Sequence, residues 1–231
     1  MKRGIHAVPE SLQVLIEQMA HAGLMRDFYL AGGTGLALLL NHRRSIDIDL
    51  FSGTNRLDFD GRRDLFSRLR RLSGWALIEA KDGTVHGRLK KVRTSFFWYP
   101  EPLLKPTVKR GGVRIASVTD IGLMKLAAII GRGSRKDFVD LYAICRELPL
   151  SRLLKLGGKK FKHSGDFPLQ ALKALVYFED AEKDPPAITP QPLSWTNVKA
   201  FFIREVRTLT RQSISGIKPF KRSQKTFTRY P

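Results

Sequence analysis

Asp47 and Asp49 stand at alternate positions of the run Ser45 to Phe51, with Ile46, Ile48 and Leu50 between and after them. A strand turns successive side chains to opposite faces, so this alternation points both carboxylates the same way and predicts a half-buried strand. Paired hard oxygen ligands suit Mg2+ (or Mn2+), especially an ion that phosphate oxygens also bind. Upstream, the short apolar run Phe28 to Ala31 leads into Gly32, Gly33 and Thr34, and a second apolar run continues through Leu40. These segments read as strand, tight turn and helix. A glycine pair lets backbone amides approach phosphate oxygens, while the Thr34 hydroxyl and the helix start add donors and a favourable dipole. Each feature alone is commonplace, since glycine pairs occur in many turns and an Asp-Ile-Asp often lies on an exposed strand face. Their order and spacing together describe a cradle for a triphosphate followed by a metal-binding acid pair. A dinucleotide-binding reading fails because Leu38 occupies the third glycine position and the acids come too soon and as a pair.

The elements that must position these residues follow from periodicity. Ser11 to Ala22 carries Leu12, Leu15, Ile16 and Met19 at helical spacing, with Ser11 as a cap and Gly23 as a stop. Asp60 to Leu72 predicts an arginine-rich helix. Trp75 to Ala80, Val85 to Leu89, Val92 to Trp98 and Val113 to Ala116 predict strands, separated by turns at Asp82-Gly83 and Gly111-Gly112. A mixed sheet of about five strands is expected. From Thr119 the pattern becomes helical, with one stripe of Leu123, Leu126, Ala127 and Ile130 and another of Phe138, Leu141, Tyr142 and Cys145. Lys125 falls off the first stripe, and Asp137 and Asp140 share the non-core face of the second helix. A salt bridge from Lys136 to Asp140, four residues apart, is the structural alternative to a functional Asp140. Further helices are expected near Leu169 to Phe178 and Trp195 to Thr210, around a proline-rich loop from Asp184 to Pro192. The fold class is α+β. Residues 1–118 are expected to form the sheet-bearing core, 119–211 a helical region packed on it, and 212–231 a flexible tail with five basic residues and no acidic one.

A chain of 231 residues, 42% hydrophobic and 27% charged, sits in the globular range and favours one domain, or one with a smaller attachment. Its longest apolar stretch is broken by the glycine pair and falls short of the roughly 18 residues that span a bilayer. Met1 to Pro9 lacks the apolar core of a secretory signal, so a cytoplasmic location is expected. Cys145 is the single cysteine and reads as a core thiol. The formal charge of +20 attracts polyanions, making RNA, DNA or nucleotides the natural partners. Its spread over Arg62 to Arg71, Arg88 to Arg93, Arg152 to Lys162 and Lys218 to Arg229 suits contact with a nucleic-acid backbone better than one base-reading helix. A merely soluble basic surface is the plain alternative.

The segment "GGTGLALLLNHRRSIDIDLF" resembles the signature of the DNA polymerase beta type nucleotidyltransferase superfamily, and more closely the AbiEii/AbiGii toxin family within it. His42, Arg43, Ser45, Asp47, Asp49, Leu50 and Phe51 match that pattern. "TDIGLMKLAAIIGRGSRKDFVDLYAI" and "VYFEDAEKDPPAI" extend the likeness over most of residues 28 to 205. The resemblance implies a minimal nucleotidyltransferase mixed sheet flanked by helices, with a helical C-terminal region. It implies a nucleotide-binding set of Gly32, Gly33, Thr34, Arg43 and Ser45, and a metal held by Asp47 and Asp49. It also implies that Lys125 contacts phosphates and that Asp137 completes or orders the acidic site. The expected reaction moves a nucleotidyl group from an NTP to RNA, a tRNA end, as the toxin of a pair with a cognate antitoxin. One departure is visible: the superfamily places a third carboxylate on a later strand, and "VRTSFFWYP" has no acid before Glu101. The group that takes the acceptor's proton is therefore left open, with His42 assigned to binding at most. An inactive RNA- or protein-binding module on the same fold is the competing reading, against which the intact Asp47 and Asp49 argue.

Overall fold

The computed structural model describes residues 7–215. Helix α1 (Glu10–His21) buries Leu12, Leu15, Ile16 and Met19, and Gly23, two residues past its end, takes a left-handed φ of 83°. A two-residue strand β1 (Tyr29–Leu30) then feeds α2 (Gly32–Leu40), and a polar turn leads to β2 (Ile48–Ser52). After α3 (Phe59–Leu69) come β3 (Trp75–Lys81), β4 (Thr84–Leu89) and β5 (Val92–Trp98), then the small hairpin β6 (Val108–Arg110) and β7 (Val113–Ile115). The helices α4 (Val118–Gly131), α5 (Arg135–Cys145), α6 (Leu150–Lys160), α7 (Phe167–Ala174), α8 (Glu179–Lys183) and α9 (Trp195–Ser215) complete the described chain.

The strands form one mixed seven-stranded sheet in the order β3-β4-β5-β2-β1-β7-β6, with β2 parallel to β5, β1 parallel to β7 and the other pairs antiparallel. The sheet exceeds the expected size of about five strands; β1 falls within the expected run Phe28 to Ala31, and β6, three residues long, is the strand too short for periodicity to resolve. Leu30, Ile48, Leu50, Val85 and Phe96 face α1 and α3 in one core. A second core joins Tyr29, Ala31 and Leu36 to α4, α5, α6, α7 and α9. The helices cover this second face around β1, and β5, β4 and β3 continue the sheet past them, with Arg88 and Arg93 exposed.

Several sequence expectations are corrected. The strand begins at Ile48 and not at Ser45, and Ile46 is 56% exposed, because the chain before Ile48 hydrogen-bonds to Thr34 on α2 and to the carbonyls of Ala7 and Ile188 instead of to a neighbouring strand. Lys125, Asp137 and Asp140 are all buried, since α5 packs against both α2 and α4 and has no solvent face at these positions. α6 was not anticipated, although Leu150, Leu153, Leu154 and Gly157 mark its buried stripe. α9 continues through Gln212–Ser215, so the expected tail is helical there, and its remainder lies outside the described residues. Among the described residues no helix is long and apolar enough to cross a membrane. Cys145 packs partly buried against the second core, and burial pushes its thiol up to about 12.

Candidate active site

The site is built where β1 turns into α2 beside β2. Gly32 has φ 61°, a left-handed value that only glycine adopts without cost, and a Cβ there would lie 2.9 Å from Asp49 Oδ2. The Asp49 carboxylate therefore sits directly over the start of α2, and the Asp49 carbonyl accepts from the Ala31 amide at 3.1 Å. A Cβ on Gly33 would collide with the Arg43 guanidinium and crowd Ser45. The first amides of a helix have no intrahelical partners, so the N-terminus of α2 offers donors to an anion next to Asp49.

Thr34, Arg43 and Ser45 are turned inward. The Thr34 hydroxyl hydrogen-bonds Ser45 Oγ at 2.8 Å and the Asp47 backbone carbonyl, while the residue itself is 1% exposed. Arg43 donates from Nε and Nη2 to Asp140 at 2.5 and 2.9 Å and from Nη1 to the Arg44 carbonyl at 3.0 Å. These side chains fix the turn that presents Asp47.

Behind the acid pair lies a buried polar cluster. Lys125 Nζ bridges Asp137 at 2.8 Å and Asp140 at 2.6 Å, and His42 Nε2 contacts Asp140 at 2.7 Å. Arg132 reaches Asp137 from solvent at 3.0 Å, and Ser134, the residue before α5, donates to Asp137 at 2.8 Å. Lys136 is exposed and makes no ion pair with Asp140 among the described residues; the Asp140 partners His42, Arg43 and Lys125 come from other elements. Burial opposes ionisation of Asp140, but Lys125 and Arg43, with hydrogen bonds from His42 and Arg43, hold its carboxyl well below the usual carboxylate range. Asp137 is likewise held down, against its own burial, by Lys125 and Arg132. Lys125 is kept charged because the two aspartates outweigh its desolvation.

Asp49 behaves oppositely. Burial raises its carboxyl above the ordinary value, and Asp47 raises it further against the pull of Lys125. Lys125 and Arg132 thus serve Asp137 first, and Asp49, beside Asp47, is the carboxylate left short of positive charge. Such a pair fits a divalent cation held jointly with phosphate oxygens. No group of three or more protein ligands for a metal is present among the described residues, so substrate oxygens would have to complete the coordination.

Sequence comparison then decides the family. The pattern of the family described as "Nucleotidyl transferase AbiEii toxin, Type IV TA system" matches residues 13–212. The chain belongs to the AbiEii family. It is 39% identical over 202 residues to the uncharacterized protein aq_aa25 of Aquifex aeolicus (strain VF5), covering 83% of this chain and 92% of that one. Among solved structures it resembles MenT4, a nucleotidyltransferase toxin of Mycobacterium tuberculosis H37Rv, with a TM-score of 0.57 at 14% identity, over 90% of this chain and 84% of that one. It also resembles ANT(2")-Ia in complex with adenylyl-2"-tobramycin, with a TM-score of 0.51 at 17% identity, over 65% of this chain and 97% of that one. This AbiEii protein is therefore a nucleotidyltransferase by family, and its mixed sheet with flanking helices is the nucleotidyltransferase fold.

Proposed function

We propose that this AbiEii protein is a metal-dependent toxin that moves a nucleotidyl group from an NTP to an RNA acceptor, a tRNA end, in the cytoplasm, under the control of a cognate antitoxin. The observation that carries the reading is the Asp49 carboxylate, raised by burial and by neighbouring Asp47 and set against the N-terminus of α2. In this reading the triphosphate lies along Gly32 and Gly33, where free amides meet its oxygens. The acceptor hydroxyl attacks the α-phosphorus, an oxygen–phosphorus bond forms, the bond to the bridging oxygen breaks, and pyrophosphate leaves. Mg2+ bound by Asp47 and Asp49 would neutralise phosphate charge and favour ionisation of the attacking hydroxyl.

Lys125 has two roles in this account. It neutralises Asp137 and Asp140, and its fixed charge favours the negative charge that develops on the phosphates. Arg43 and Ser45 act by holding the turn, and Asp137 by fixing Lys125. The +20 charge supports a polyanionic acceptor. Incubating the protein with each α-labelled triphosphate, Mg2+ and total tRNA tests the proposal. A labelled tRNA band is expected; no label on tRNA with any triphosphate would overturn the RNA reading, and tight tRNA binding with no transfer would favour the inactive module.

A further inference from the structure

The carboxylates around the site leave the proton of the acceptor hydroxyl without a destination. Asp47 and Asp49 are assigned to the metal in the reading above, and Asp137 and Asp140 are locked to cations. Tyr29 and Tyr99 are pushed up by burial and nearby carboxylates. His42 is committed through Nε2 to Asp140.

A further group stands on the same face of the sheet as Asp49. In the parallel pairing of β2 with β5, Asp49 lies opposite Ser95, and in the antiparallel pairing of β5 with β4, Ser95 lies opposite His86. Cross-strand partners share a face, so Asp49, Ser95 and His86 form one row. The alternate residues Ile48, Thr94, Phe96, Val85 and Gly87 are buried on the other side. With strands about 4.8 Å apart, the His86 backbone is roughly 10 Å from that of Asp49. Two side chains reaching toward a substrate oxygen between them span that gap. His86 is half-buried, its Nδ1 lies 3.0 Å from Ser95 Oγ, and its ring stands edge-on to Phe97 with centroids 5.6 Å apart. Its Nε2 makes no hydrogen bond among the described residues.

We propose, resting on the nucleotidyl-transfer reading, that His86 is the proton acceptor of the reaction and that Ser95 orients it. Nδ1–H donates to Ser95 Oγ, which leaves the Nε2 lone pair to face the acceptor. As the acceptor oxygen bonds to the α-phosphorus and the bridging P–O bond breaks, the hydroxyl proton passes to Nε2. The imidazolium then releases it to water, and pyrophosphate carries away the bonding pair of the broken bond. Charged groups facing His86 are Glu79 across β3, itself paired with Lys81, and Arg88 and Arg93 on the same sheet face. Ser95 separates the imidazole from Asp49, so it takes the proton without joining the acid pair.

The test compares wild type, His86→Ala, His86→Gln and Ser95→Ala. Positioned proton transfer contributes roughly 100- to 10,000-fold, so both His86 variants should lower kcat by about 100-fold or more, with KM for the triphosphate nearly unchanged. The acid limb of the kcat profile should flatten, and added imidazole should restore part of the rate of His86→Ala. Nitrogen-15 spectra of the free protein should show the Nδ1–H tautomer at His86 and its loss in Ser95→Ala. An active wild type whose His86→Gln variant keeps its kcat and acid limb overturns the proposal, as does a slow His86→Ala that imidazole does not rescue. A wild type that transfers no nucleotide would instead remove the underlying reading and this inference with it.

Discussion

Arg43 grips Asp140 through two nitrogens, at 2.5 and 2.9 Å, across 97 residues of chain. This contact ties the turn that carries Asp47 to the helix that carries Asp137, and both partners are almost fully buried. Removing one member of such a pair leaves the other charge uncompensated, which costs about 3–5 kcal/mol. Arg43→Ala should therefore lose stability of that order in urea unfolding. Lys136→Ala, which removes an exposed side chain, should change it by less than about 0.5 kcal/mol. Equal effects would mean that Asp140 pairs with Lys136 in solution.

The same cluster sets the behaviour in acid. Asp140 and Asp137 have folded values below their unfolded ones, so the stability they contribute is complete above the unfolded aspartate value of about 3.9 and is lost as pH falls through their folded values. Stability measured from pH 6 down to pH 2 should drop steeply below about pH 4, and the drop should be smaller in Asp140→Asn, which starts from a lower plateau. A variant curve parallel to wild type throughout would remove Asp140 from the account.

Asp49 has the opposite sign. Its folded value is raised, so the ionised form costs stability at neutral pH, and protonation or neutral replacement relieves that cost. Asp49→Asn should abolish transfer while keeping or raising Tm in the absence of metal, the usual trade at a strained functional site. Addition of Mg2+ with triphosphate should raise the Tm of wild type and not of the variant. A clear fall in Tm for the metal-free variant would assign Asp49 to the fold.

Thr34 was expected to donate to phosphate, yet its hydroxyl is spent on Ser45 and the Asp47 carbonyl. Thr34→Ala should cost about 1–3 kcal/mol of stability, because buried polar groups lose their partner. It should weaken triphosphate binding through the displaced Asp47 turn. Thr34→Ser, which keeps the hydroxyl, should restore most of both. Weakened binding with unchanged stability would return the hydroxyl to the phosphate.

How much of this was legible follows from the range of each signal. Alternation put Asp49 on the face of β2 opposite buried Ile48 and Leu50, and the glycine pair marked the turn into α2, because both are local patterns that backbone geometry dictates; Asp47, just before β2, lies outside that alternation. The pairing of Arg43 with Asp140 carries no local signature, and period-3.6 reasoning put Asp137 and Asp140 on an outer face because it counts only apolar residues. A helix packed on two sides, one of them polar, defeats that rule. The row Asp49, Ser95, His86 depends on strand order, in which β2 lies beside β5 although α3 and two strands separate them in sequence. The absence of an acid in "VRTSFFWYP" was visible, but what stood beside Ser95 was not.

In the proposed reaction the nucleotidyl group itself is transferred at the Asp47 and Asp49 centre. Its most direct test follows label from one triphosphate carried either at the α- or at the γ-phosphorus, with Mg2+ and total tRNA, in wild type and in Asp47→Asn. The expected result is α-label on the tRNA, γ-label only in pyrophosphate, and loss of nearly all transfer in a folded Asp47→Asn protein. Label from the γ position on the acceptor, or undiminished α-transfer by Asp47→Asn, would contradict it.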